Sequence, residues 1–82
     1  MEINNKYNVG QTYYRFREGV IEKVIITKLV CYIQFGKNPI YRYSGTYGVG
    51  NSSLIDVAES ELNLFESKEE CRKYAISSIL EQ

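Results

Sequence analysis

Val20-Ile21-Glu22-Lys23-Val24-Ile25-Ile26-Thr27-Lys28-Leu29-Val30-Cys31-Tyr32-Ile33-Gln34-Phe35 is the stretch from which the fold is read. It is built from Val, Ile, Thr, Tyr and Phe with no Gly or Pro, the composition of β-structure. An average strand has only about 5–6 residues. No Gly, Asn or Pro marks a turn inside the stretch. The reading is therefore one long strand, bent sharply near Thr27-Lys28, with two strands broken there as the alternative. Upstream, Glu18-Gly19 is a turn. Before it, Thr12-Tyr13-Tyr14-Arg15-Phe16-Arg17 alternates, with Thr12, Tyr14 and Phe16 on one face and Tyr13, Arg15 and Arg17 on the other. Downstream, Gly36-Lys37-Asn38-Pro39 is the clearest turn of the chain. Ile40-Tyr41-Arg42-Tyr43 then pairs back, with Tyr41 and Tyr43 sharing a face.

Beyond this meander the material changes. Ser44 to Ser53 holds three glycines among small polar residues and reads as a flexible loop or irregular hairpin. Leu54-Ile55-Asp56-Val57 is a short strand, Ala58 to Leu62 a single helical turn or loop, and Leu64-Phe65 a return to the core. Ser67-Lys68-Glu69-Glu70 is a capping box, with Ser67 as N-cap and Glu70 at N3. It opens a helix over 68–81 whose apolar stripe is Cys71, Tyr74, Ala75, Ser78 and Ile79. Lys68, Arg72, Lys73 and Glu81 fall on its solvent side. Residues 1–8 are polar and Asn-rich and read as a loose arm. Residues 9–82 form one domain, as the length of 82 residues allows.

Composition narrows the chemistry. The chain has eight tyrosines but no histidine and no tryptophan. Without His it lacks the commonest general acid–base group and metal ligand. Its two cysteines, Cys31 and Cys71, have no His to form a nucleophilic pair and cannot by themselves complete a zinc site. No cofactor and no metal are expected. No apolar run approaches the roughly 20 residues that span a bilayer. The N-terminus lacks a signal-peptide core. The expectation is a cytoplasmic chain with reduced cysteines. Net charge is zero, yet residues 1–43 carry seven basic and three acidic side chains and residues 44–82 the reverse. Zero net charge disfavours duplex DNA as a partner, since that affinity rests on cationic contacts. A tyrosine-rich chain of this kind reads as a binding module and not an enzyme.

The order of these segments resembles small SH3-like β-barrel proteins of phages and mobile elements. These often begin with a Val-Gly-Asp phrase and close with a Glu-Ser-acid-Leu-Phe phrase and a final helix. The matching positions are Val9-Gly10-Gln11-Thr12-Tyr13, Glu59-Ser60-Glu61-Leu62 and Phe65-Glu66-Ser67-Lys68-Glu69-Glu70-Cys71. Gln11 departs from the pattern where an acid is usual, and residues 44–53 resemble an insertion. The resemblance implies an α+β fold: an SH3-like antiparallel barrel of about five strands with a C-terminal helix. It carries no catalytic residue. It implies a phage-type protein that inhibits a host protein in a defence system, as anti-CRISPR proteins do, or one that sequesters a signalling nucleotide.

Three surfaces are candidate sites. In the Gly-rich loop, Gly45, Gly48, Gly50 and Asn51 could bring backbone N–H groups to an anion while Tyr47 stacks on a base or partner ring. This suits an oligomeric nucleotide binder, because a chain so short has little concavity of its own. The alternative is a plain hairpin connection. The Tyr13, Arg15 and Arg17 face, with Arg42, mixes aromatics and arginines as protein interfaces and single-stranded nucleic-acid sites both do. Alternation sets Arg42 opposite Tyr41 and Tyr43, and about half of the tyrosines are needed for packing. The acidic residues Asp56, Glu59, Glu61, Glu66, Glu69 and Glu70 could mimic nucleic-acid phosphates, or simply cap and solvate the helix. The leading reading is a non-enzymatic protein that binds and blocks a host protein.

Overall fold

The long strand is present and bends at the expected place. The computed structural model describes residues 5–80. In it β2 runs from Val20 to Tyr32 and pairs antiparallel with β1 (Thr12–Arg17) on one side and β3 (Ile40–Tyr47) on the other. The ladder to β3 slips between Ile26 and Lys28: Ile26 opposes Gly45 and Lys28 opposes Ser44, so Thr27 is the extra residue of a bulge. Its Oγ1 donates to the Ser44 carbonyl at 3.2 Å. The bulge inverts the pattern of the strand. Val24 and Ile26 face the core before it, and Leu29 and Cys31 share the face of Tyr43 and Tyr41 after it. β2 ends at Tyr32 rather than Phe35, and Ile33 and Phe35 stand exposed.

β4 (Ser53–Ala58) completes an open sheet of order β1-β2-β3-β4. The expected barrel of about five strands is thus corrected to four strands that do not close. After a 3-10 turn at Glu59–Glu61, the segment expected to re-enter the core reaches β1 at one bridge, Tyr14 to Phe65, with both N–H···O bonds at 2.8 Å. Helix α1 spans Lys68–Leu80 and packs on β1. The Ser67 hydroxyl accepts from the Glu70 N–H at 3.1 Å, as the cap requires. Phe65, opposite Tyr14, meets the ring of Tyr74. Only Cys71 and Ala75 of the expected stripe are buried, and Tyr74 and Ile79 are exposed. The expected last residue, Glu81, lies outside the described residues.

The core gathers on the other face, where Tyr13, Val24, Ile26 and Tyr43 pack with Tyr7, Leu62 and Leu64. Tyr7 corrects the reading of residues 1–8 as an arm. Residues 1–4 lie outside the described residues, but Tyr7 is buried among edge-on rings, 5.2 Å from Tyr13 and 5.4 Å from Tyr43 between centroids. Each buried hydroxyl is satisfied. Tyr7 donates to the Leu62 carbonyl at 3.3 Å and accepts from Leu64 N–H at 3.2 Å. Tyr13 accepts from Asn8 N–H at 2.8 Å. Tyr43 accepts from the N–H groups of Lys6 and Tyr7, at 3.1 and 3.2 Å, and donates to Glu59 at 2.6 Å. Cys31 and Cys71 are not bonded to each other.

Candidate functional site

A two-residue turn sets the geometry of the site. Glu18 and Gly19 join β1 to β2 with φ of 53° and 80°, both left-handed, as a type I′ hairpin requires. The turn fixes the register: Arg17 faces Val20, Arg15 faces Glu22, and Tyr13 faces Val24. Val24 in turn faces Tyr47 on β3. Period-2 alternation carries Arg15, Arg17, Glu22 and Tyr47 to the same face as the core, beyond its covered end.

There the two arginines converge on one carboxylate oxygen. Arg15 Nε and Arg17 Nε donate to Glu22 Oε1 at 2.8 and 2.7 Å. Both guanidiniums also lie over the Tyr47 ring, 4.5 and 5.0 Å from its centroid. The side chains of Arg15 and Glu22 are each 14% exposed, and that of Arg17 44%. Burial alone would raise the Glu22 carboxyl, but the hydrogen bonds from Arg17 and Arg15 outweigh it and hold the group below its usual value. The same bond, donated to Glu22, keeps the Arg17 guanidinium more firmly protonated. Two cations thus share the shielded Glu22 carboxylate on a half-buried aromatic base, and Arg17 also stands 3.9 Å from the exposed carboxylate of Glu18.

The nine residues singled out from sequence do not form one site. Arg15, Arg17 and Tyr47 come together. Tyr13 is core. Arg42 lies on the opposite face, paired with Asp56 at 2.7 Å. The Gly-rich loop is corrected: Ser44 to Tyr47 belong to β3, and Gly45 is buried where a Cβ would press into the Ile25 carbonyl. The connection to β4 is only Gly48 to Ser52, with Gly48, Gly50 and Asn51 on its exposed 3-10 turn. Tyr47 therefore serves the arginine face and not a loop. Glu22 was missed, although the two-residue turn places it opposite Arg15 by counting alone.

A concavity of about 250 Å³ is lined by Pro39, Ile40, Tyr41, Ala58, Glu59 and Ser60 and holds none of the nine residues. Among the described residues, no three His, Cys, Asp or Glu side chains come together to hold a metal ion, and no helix is long and apolar enough to cross a membrane. No family model, curated protein or solved structure matches the chain.

Proposed function

We propose that the chain is a non-enzymatic interaction module that binds and inhibits a host protein through the Arg15–Arg17–Tyr47 patch. The observation that carries this reading is the convergence of two arginines on Tyr47 with one shared carboxylate. Arginine and tyrosine are the residue types that dominate the energetics of protein interfaces, above all where their side chains are already held in place. Val20, 60% exposed and opposite Arg17, supplies an apolar neighbour. An SH3-like origin of the fold is part of the proposal. It is supported by the bend of β2 at Thr27 and by the return of the chain to β1 at Phe65 after a 3-10 turn. The phage-type role in counter-defence comes from the resemblance of the sequence, and the cytoplasmic setting from its cysteine usage.

The geometry favours a protein partner over a sequestered nucleotide. The segment expected to cradle a phosphate is strand as far as Tyr47, and the Tyr47 ring already carries two guanidiniums. The test is photo-crosslinking in extract of a bacterial host, with a benzophenone amino acid at Val20 or, on the opposite face, at Leu54. One host protein crosslinked from Val20 and not from Leu54, whose activity falls when the chain is added, is the expected result. Equal labelling from both positions, or no protein adduct from Val20, would overturn the reading.

A further inference from the structure

We infer that the Arg15–Arg17 pair is a seat for a single carboxylate presented by the protein partner, an assignment that rests on the reading of this patch as the contact surface. The charge balance comes first. Two guanidiniums share one shielded carboxylate, Glu22, and the second acid, Glu18 at 3.9 Å from Arg17, is 81% exposed, where water screens its charge. An unbalanced charge in such a setting interacts more strongly with an incoming anion than one on an open surface does.

Donor geometry comes second. Both arginines spend Nε on Glu22, and their terminal Nη groups make no hydrogen bond among the described residues. The other acid beside them, Glu18, stands 3.9 Å from Arg17 Nη1, beyond hydrogen-bond reach. The Tyr47 ring beneath keeps the guanidinium planes in place, so little side-chain freedom is left to lose on binding. Free planar N–H edges of this kind match the two oxygens of a carboxylate.

The distribution of the other cations decides between a carboxylate and a polynucleotide. Register puts Lys23, Lys28 and Arg42 on the opposite face of the sheet, and Arg42 is already neutralised by Asp56. The strands thus offer the patch face only these two arginines, with Glu22 shielded between them and Glu18 exposed beside Arg17. A nucleic-acid strand needs a row of cations to track successive phosphates. One acidic side chain beside an apolar neighbour, set against Arg17 and Val20, needs no more than is there.

The test follows the Arg15 and Arg17 Nε–Hε signals by nitrogen-15 NMR while N-acetyl-triglutamate amide, inorganic phosphate or a ten-residue oligothymidylate is added. Triglutamate should shift both signals saturably, and Arg17→Ala, at an exposed position, should weaken it at least fivefold. No shift with triglutamate would overturn the assignment. So would phosphate or the oligonucleotide moving the same signals at tenfold lower concentration, since the seat would then be a phosphate site. The two readings fail separately. If triglutamate is inert but Arg17→Ala still abolishes the Val20 crosslink, the contact surface stands without the carboxylate. If triglutamate binds but the crosslink survives Arg17→Ala, the seat stands and the contact surface falls.

Discussion

Tyr43 ties together parts of the chain that lie far apart in sequence. Its hydroxyl has three hydrogen-bond partners, two N–H donors from residues 6 and 7 and the carboxylate of Glu59. Tyr43→Phe would keep the ring, leave the Tyr7 N–H without its acceptor and leave the Lys6 N–H only the Glu59 carboxylate, 3.1 Å away. Buried bonds involving a charged group contribute about 1.5–3 kcal/mol, so a loss of about 2 kcal/mol in urea denaturation is expected. Faster amide exchange at Tyr7 should accompany it. Burial, and then the bond to Glu59, push the Tyr43 hydroxyl up to about 12 from its ordinary 10.0. A raised value means that the fold favours the neutral phenol. This contribution is complete below pH 10 and is lost as pH rises towards 12. The melting temperature should therefore fall more steeply across that window for the unaltered chain than for Tyr43→Phe. The abundance of tyrosine was legible in the sequence, but its division was not. Alternation groups Tyr13 with Arg15 and Arg17, and only the lid of Tyr7, Leu62 and Leu64 makes one of them core and the others surface. Gly45 was misread for a similar reason: a glycine where two strands approach closely gives the same signal as a glycine in a loop.

At the level of elements, the β1–β2 hairpin and the bulge of β2 do most to place the site. The hairpin turn carries one unfavourable choice, since Glu18 holds a left-handed conformation that favours Asn or Gly. Glu18→Asn should stabilise the chain by about 0.5–1 kcal/mol. For a domain of this size that corresponds to a melting temperature higher by roughly 3–6 °C. An unchanged or lower melting temperature would show that the Glu18 side chain contributes more than its backbone costs. The bend near Thr27 was legible because a β-rich run longer than a strand, with no turn residue inside, has to curve. That one residue would be doubled, and the core pattern inverted beyond it, was not legible. Both phases of the strand, Val24-Ile26 and Leu29-Cys31, are equally apolar. The helix cap was read correctly because Ser67 acts locally, whereas the width of the buried stripe depends on how much of the sheet the helix covers.

Over the whole molecule the two edges of the sheet are treated differently. The outer side of β1 is occupied at Tyr14 by Phe65 and lies against α1. Among the described residues, no strand lies beside the outer side of β4. Here side chains engage the backbone: Arg42 Nη2 donates to the Asp56 carbonyl at 3.0 Å, and Glu61 accepts from Ala58 N–H at 3.4 Å. Such contacts discourage one sheet from pairing with another. Arg42→Ala is expected to give concentration-dependent growth of the apparent mass in light scattering, and Arg17→Ala is not. The opposed charge of the two halves of the sequence meets at this edge, where Arg42 binds Asp56. Barrel closure could not be read from residues alone, because it turns on how many residues around Phe65 pair with β1, and a single bridge forms. The burial of Tyr7 also bears on how the chain is made. Its hydroxyl partners, Leu62 and Leu64, lie 55 and 57 residues downstream. At about 5–20 residues per second of synthesis, Tyr7 is complete roughly 3–11 s before either exists. The nascent chain must therefore carry the Tyr7 hydroxyl without these partners until Leu62 and Leu64 are made, and ribosome-bound fragments that stop before Leu62 should remain open to proteolysis.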